Sequence, residues 1–409
     1  MNYISTRGHN CVVTSARAII KGLAEDGGLF VPENIPIIDE KFLTSLLDLS
    51  YQERAKKILS LYLTDFTAEE INQCVDNAYT TEKFDTDKIV PTVEVEKNNY
   101  LLELWHGPTS AFKDMALQLL PQFISTSLKK LGDKDELVIL VATSGDTGKA
   151  ALDGFKNVDQ TKILVFYPQE GVSKIQRLQM LTQQGNNVSV FAVKGNFDDA
   201  QSGVKQIFSD SKYNEYLNEK GFKLSSANSI NWGRLLPQIV YYFSAYADLV
   251  NDKKITMGDK VNFTVPTGNF GDILAGFYAK CMGLPVNRLI CASNSNNVLT
   301  DFLKTGTYDR NREFFKTISP SMDILISSNL ERLLYHITND ATKVKSYMEK
   351  LQSTGCYQVD EATFKAIQET FSAGYLDDSA TKKCIHDIYQ QDNYVADTHT
   401  AVAVSYTHL

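Results

Sequence analysis

The sequence predicts an α/β protein in which parallel sheets are covered by helices, with a small, mainly helical domain ahead of them. Three observations carry this. Short apolar runs, LVILVA at 137–142, KILVFYP at 162–168 and VSVFAV at 188–193, each lead through a loop into a helical stretch. Strand alternating with helix builds a parallel sheet with helices on its faces. The same unit recurs at VNFTVP (261–266), which runs through TGNFGD into ILAGFYAKCMG. Finally, 409 residues are too many for one ordinary core.

In chain order, residues 1 to about 85 read as helical. Tyr51, Ala55, Ile58 and Tyr62 fall on one helix face, and Thr67 to Glu70 form a capping box before Ile71, Cys74 and Ala78. The polar stretch EKFDTDK (82–88) ahead of Pro91 reads as a linker, dividing an N-terminal domain, 1–88, from a larger region, 89–409. VEVEKNNYLLELW then predicts a hairpin turning at Asn98-Asn99. The strand and helix units follow, and the segment 299–395 reads as mostly helical.

The net charge of -8 argues against a nucleic-acid surface or a polybasic membrane face, since either needs clustered cations. Six cysteines stand without a CxxC pair or regular spacing, so no zinc site or disulfide framework is indicated, and no metal is expected. The first twenty residues lack the apolar core of a signal peptide, and no run of about 18 apolar residues occurs. The expectation is a cytoplasmic protein with no membrane partner.

Two segments have the order strand, Gly-rich loop, helix: LVILVA-TSGDTG-KAALDGF and VNFTVP-TGNFGD-ILAGFYA. Both place backbone N–H groups at a helix N-terminus, where a phosphate or carboxylate can bind. Neither matches a nucleotide motif: the first has Thr143 and Ala150 where a P-loop needs Gly and Ser/Thr, and GNFGD lacks the third glycine of the dinucleotide fingerprint. Tight turns needing glycine for positive φ are the alternative reading of both.

HGPTSAFKD (106–114) places Lys113 in the first turn of a helix, where an ammonium is disfavoured by up to about 1 kcal/mol. A solvated surface lysine is one reading. The other is a nucleophile: a helix N-terminus and an apolar wall from Ala111 and Phe112 favour the neutral amine that attacks aldehydes.

HGPTSAFKD, ATSGDTGKAAL, SANSINWGRLLPQIVYYF, PTGNFGDILAG and DTHTAVA stand in the order and spacing of threonine synthase, and STRG and GLAEDGGLFVPE resemble the same family's opening domain. The resemblance runs from about residue 3 to 404. It implies a fold-type II enzyme of two open parallel-sheet lobes using pyridoxal 5'-phosphate, with Lys113 as the lysine that carries the cofactor as a Schiff base. Gly268, Asn269, Phe270, Gly271 and Asp272 resemble the loop that cradles the cofactor phosphate, Asp272 being read as a helix cap because two anions repel. Thr400 matches the hydroxyl facing the pyridine nitrogen. Ser144 and Thr147 resemble the loop holding the substrate carboxylate, and Asp146 stands beside the ring hydroxyl. Asn231 and Arg234 resemble the substrate phosphate site, a role suited to a guanidinium fork.

The implied reaction turns O-phospho-L-homoserine and water into L-threonine and phosphate. A related phospho-lyase releasing 2-oxobutanoate from the same substrate is the alternative. A monomer or homodimer is expected. His106 is read as a structural hydrogen-bonder, Lys149 as solvated, Lys194 to Asp198 as an ordinary βα turn, and Tyr241, Tyr242 and Phe243 as core. Ser405 to Leu409 do not resemble the family's continuation, which implies a sheet edge or apolar face left uncovered near the end.

Overall fold

A computed structural model describes residues 1–8, 12–143, 145–169, 172–195 and 197–406. The N-terminal segment opens with an antiparallel sheet of three short strands, β1 (Asn2–Ser5), β2 (Val13–Thr14) and β3 (Phe30–Pro32), in the order β2-β1-β3. The helical reading of this region omitted that sheet, because strands of two to four residues are too short to show alternation. The predicted helices are present at Tyr51–Ser60 and Ala68–Ala78. Each starts with a reciprocal capping box: Thr67 Oγ1 accepts from Glu70 N at 3.2 Å while Glu70 Oε2 accepts from Thr67 N at 2.8 Å, and Ser50 with Glu53 does the same.

The stretch 82–88 does not behave as a free linker. Phe84, Ile89 and Val90 are buried, and one continuous apolar core runs from Tyr3 through to Phe371. The N-terminal segment is bound to the rest by polar contacts as well. Arg54 Nη1 donates to Asp248 Oδ1 at 2.6 Å and to Ser244 Oγ at 2.8 Å, and Thr6 and Arg7 both donate to Glu331.

A hairpin of β4 (Thr92–Glu96) and β5 (Asn99–Leu102) turns through Asn98, which takes φ 66°. The first parallel sheet comprises β6 (Glu136–Ala142), β7 (Thr161–Pro168), β8 (Val188–Val193) and β9 (Phe222–Ser226), in the order β8-β7-β6-β9. Central β6 is apolar from Leu137 to Ala142 because both of its faces are covered there; β8 is an edge, and its Phe191 is exposed and stacks on Phe166.

The second parallel sheet is β10 (Val261–Pro266), β11 (Val286–Ser293) and, after a small pair of β12 (Thr307–Asp309) with β13 (Cys356–Gln358), β14 (Phe371–Tyr375), in the order β10-β11-β14. Thus β14 lies inside the stretch read as helical. Between the lobes runs the helix Trp232–Asn251, buried along most of its length. None of the described helices is long and apolar enough to cross a membrane.

Candidate active site

The C-terminal ends of β6, β9 and β10 open on one cleft of about 1690 Å³, which collects Lys113, Asp146, Thr147, Arg234, Gly268 to Asp272 and Thr400. Clefts at the carboxyl ends of parallel strands are where α/β proteins bind ligands. Ser144 lies outside the described residues.

Lys113 stands at the start of a one-turn helix, Asp114–Leu117. Its approach is fixed by Asp114, a fully buried carboxylate that accepts from Thr109 N and Thr109 Oγ1, both at 2.8 Å. Gly107 has to be glycine here, since a Cβ would lie 2.6 Å from that of Asp114. Ser110 in this turn takes φ 55°, a left-handed conformation uncommon for a non-glycine residue and a mark of a site held by its surroundings. Burial raises Asp114 to about 6, even though the Thr109 donors pull the other way.

The lysine meets a carboxylate as well as an apolar wall. Lys113 Nζ lies 4.5 Å from the centre of the Phe112 ring, but it also donates to Asp146 Oδ2 at 2.5 Å. Ser321 Oγ donates to the same oxygen at 2.5 Å and stands 3.5 Å from Nζ. Burial works against a charge on Asp146, yet the attraction and hydrogen bond of Lys113, with the Ser321 hydroxyl, outweigh it and hold the carboxyl well below its usual range. Asp146 opens the helix Asp146–Phe155, whose turn is tied by Thr143 Oγ1 accepting from Gly145 N at 3.0 Å and Gly148 N at 2.9 Å. Thr147 N donates to Asp146 Oδ1 at 2.9 Å.

The loop Gly268 to Asp272 leads into the helix Gly271–Met282, with Phe270 before it at φ 62°. Its carbonyls are engaged: Gly268 O accepts from Ser327 Oγ at 2.9 Å, and Asn269 O from both the backbone N–H and the side chain of Asn329 at 3.1 Å. Its amides are not. Among the described residues no acceptor pairs with the N–H groups of Asn269, Phe270 or Gly271.

Gly268 does not need positive φ; it needs the absence of a side chain, because a Cβ would lie 2.4 Å from Ser321 O. Asp272 is no helix cap. Its carboxylate accepts from Tyr241 Oη at 2.5 Å and Tyr242 Oη at 2.9 Å, and burial raises it despite these donors. The two tyrosines are buried, as the core reading holds, but their hydroxyls anchor the loop's helix.

Arg234, in the first turn of Trp232–Asn251, is buried at 4% exposure. Its Nη1 donates to Ala227 O at 2.7 Å, and among the described residues no acceptor pairs with the other nitrogens of the guanidinium. Burial lowers it to about 10, with the charges of Asp146 and Asp114 opposing the drop. A buried cation with free donors in a cleft is a seat for an anion. The structure does not bring Asn231 there. Its Oδ1 caps the helix by accepting from Gly233 N at 2.9 Å, and its Nδ2 donates to Ile19 O at 2.9 Å and Ser226 O at 3.1 Å, leaving nothing for a substrate.

Thr400 donates its hydroxyl hydrogen to Asp397, the cap of the helix Thr398–Val404, so its oxygen is left as an acceptor. His106 bridges Asp85 Oδ1 at 2.6 Å and Glu103 Oε2 at 2.8 Å and stacks on Trp105. Lys149 is half-buried and bonded to Gln183, not solvated. The turn at Lys194 to Asp198 includes Asn196, which lies outside the described residues.

Sequence reasoning missed Ser321, 208 positions from the lysine it touches. It also missed Arg332, which is fully buried and donates to Phe30 O, Ser229 O, Ile230 O and Asn329 Oδ1, tying β3 to the cleft wall. No local spacing marks either residue. Among the described residues no group of His, Cys, Asp and Glu is placed to hold a metal ion.

Residues 2–79 match the family model for the threonine synthase N terminus. Threonine synthase of Pseudomonas aeruginosa is 38% identical over 406 residues, covering 99% of this chain and 83% of its own length. Threonine synthase-like 1 of Homo sapiens is 43% identical over 399 residues, covering 95% of this chain; the chain spans about half of that relative, 53%. The crystal structure of PLP-bound threonine synthase from Brucella melitensis matches with a TM-score of 0.92 at 40% identity, over 100% of this chain and 85% of that one.

Proposed function

The chain belongs to the threonine synthase family, and on that premise we propose that it uses pyridoxal 5'-phosphate to convert O-phospho-L-homoserine and water to L-threonine and phosphate. One observation carries the reading: Lys113 shares a single cleft with two separate seats for anions, the unpaired amides of Asn269 to Gly271 and the buried guanidinium of Arg234. A phosphorylated cofactor and a phosphorylated substrate need two such seats and one lysine.

The residues present fit the cofactor. The loop amides would hold its phosphate, Asp146 would stand beside its ring hydroxyl and the Thr400 oxygen would face the ring nitrogen, while Thr147 would serve the substrate carboxylate. When bound, the cofactor supplies an electron sink for charge developing at the substrate's carbons. The chain's own groups do the rest. Arg234 binds the substrate phosphate through its free N–H donors and keeps it in place as it leaves. Lys113 Nζ carries protons at Cα and Cβ, and Asp146 and Ser321 aim that amine. The same proposal places the protein in the cytoplasm as a monomer or homodimer, without nucleic-acid or membrane partners, and divides it near residue 88. The net charge of -8 supports the first exclusion, and the family match ending at residue 79 supports the division.

The test is a product balance. Purified protein with pyridoxal 5'-phosphate and O-phospho-L-homoserine is expected to release phosphate and threonine mole for mole. Phosphate matched by 2-oxobutanoate, with little threonine, would replace this reading with a phospho-lyase.

A further inference from the structure

We propose that Ser321 is a positioning residue of the lysine site: its hydroxyl shares Asp146 with Lys113 and so sets how firmly that carboxylate holds the lysine amine. The proposal rests on the cofactor reading of Lys113 given above.

Ser321 Oγ and Lys113 Nζ both reach Asp146 Oδ2, each at 2.5 Å, and lie 3.5 Å from one another. A hydroxyl has one hydrogen, and Ser321 spends it on Asp146, so the oxygen turns a lone pair toward Nζ. The three groups close a ring. The serine is held in it by its backbone. Its N–H donates to His399 Nε2 at 3.2 Å, and His399 Nδ1 meets Asp397 Oδ1 at 3.0 Å. Its carbonyl fills the space a Cβ on Gly268 would take, and the next residue, Met322, is buried with Ala292, Val402 and Ala403. Five separated segments, at Lys113, Asp146, Gly268, Ala292 and 397–403, therefore meet around this serine.

A carboxylate with two donors divides its negative charge between them. With Ser321 present, Asp146 Oδ2 is shared between the hydroxyl and the lysine nitrogen. With the hydroxyl removed, Lys113 becomes the only donor to Asp146 Oδ2 among the described residues, and the charged amine is favoured. The other charges bearing on this ring are Asp272, which feels Lys113, Arg234 and His399, which act on or with Asp146, and Asp114 beside the lysine. Ser321→Ala leaves all four in place, because His399 bonds the backbone of residue 321 and not its side chain.

The experiment records the visible absorption of the cofactor-loaded protein across pH, alongside steady-state kinetics. Ser321→Ala is expected to keep cofactor occupancy within about twofold, to move the pH midpoint of the absorption upward by about one unit, and to lower kcat about tenfold with KM little changed. Ser321→Thr, which restores a hydroxyl, should return the midpoint. An unmoved midpoint in the alanine variant overturns the proposal, as does loss of cofactor alone or a threonine variant that behaves like alanine. If the parent chain develops no visible absorption, or Lys113→Ala retains it, the cofactor reading falls and takes this proposal with it; that failure is distinguishable because it appears without any change at residue 321.

Discussion

Replacing Gly268 with alanine puts one methyl group against a backbone that has no rotamer with which to yield. The new Cβ would stand 2.4 Å from Ser321 O, 3.4 Å from Ser321 C and 3.5 Å from Met322 Cα, short of any tolerated Cβ to oxygen contact by at least about 0.6 Å. Either the loop 320–322 or the loop 268–270 has to move by that much. Both are anchored, the first by Ser321 N on His399 and by buried Met322, the second by Ser327 and Asn329 on its carbonyls. Overpacking of this kind costs about 1–3 kcal/mol, and an immovable carbonyl places it near 3. The same movement draws Ser321 away from Asp146 and disturbs the amides of Asn269 to Gly271. Urea unfolding should therefore show a loss of about 2–3 kcal/mol, and equilibrium dialysis a cofactor affinity lower by at least about tenfold. If Gly268→Ala unfolds within about 0.5 kcal/mol of the parent and binds cofactor equally well, the packing of the two loops is not what requires glycine here.

Three further outcomes follow from the same geometry. Lys113→Ala should abolish threonine formation while the loop amides still retain cofactor, seen as bound cofactor lacking the lysine-linked visible absorption. Arg234→Lys should raise KM for the phosphorylated substrate about tenfold and leave the resting absorption alone, because lysine keeps the charge but not the fork of donors. Burial raises Asp114 from 3.8 to about 6, so the folded state binds this proton more tightly than the unfolded chain does. The resulting stability is fully present below about pH 4 and is lost as pH rises through about 6, a swing of up to about 3 kcal/mol. Unfolding measured at pH 4 and pH 7 should therefore show the parent gaining on Asp114→Asn by roughly this amount at the lower pH, and an equal gap at both values would remove Asp114 from that role.

What the sequence by itself determined about this protein is whatever neighbours along the chain can encode. The runs of β6, β7, β8 and β10, the capping box at Thr67 and Glu70, and the turn at Asn98 are legible because strand periodicity, cap chemistry and turn conformation each depend on a few adjacent residues. The loops at Asp146 and Gly268 are legible for the same reason, as breaks between a strand and a helix. Strands β1, β2 and β3 were too short to register, and β14 carries Gly374 in a region rich in helix formers.

Only the tertiary structure decided what each loop residue does. Asn231 and Arg234 stand three apart in one motif, yet helix capping and contacts with Ile19 and Ser226 consume the first, while burial beside the cleft frees the second. Asp272 stands where a cap would in the sequence, yet Tyr241 and Tyr242, a helix away, claim its carboxylate. Ser321 carries no signal of its own. It joins Lys113 and Asp146 because the two sheets bring segments from distant parts of the chain to one cleft, and hydrogen-bond partners chosen across such distances leave no periodic trace in the sequence.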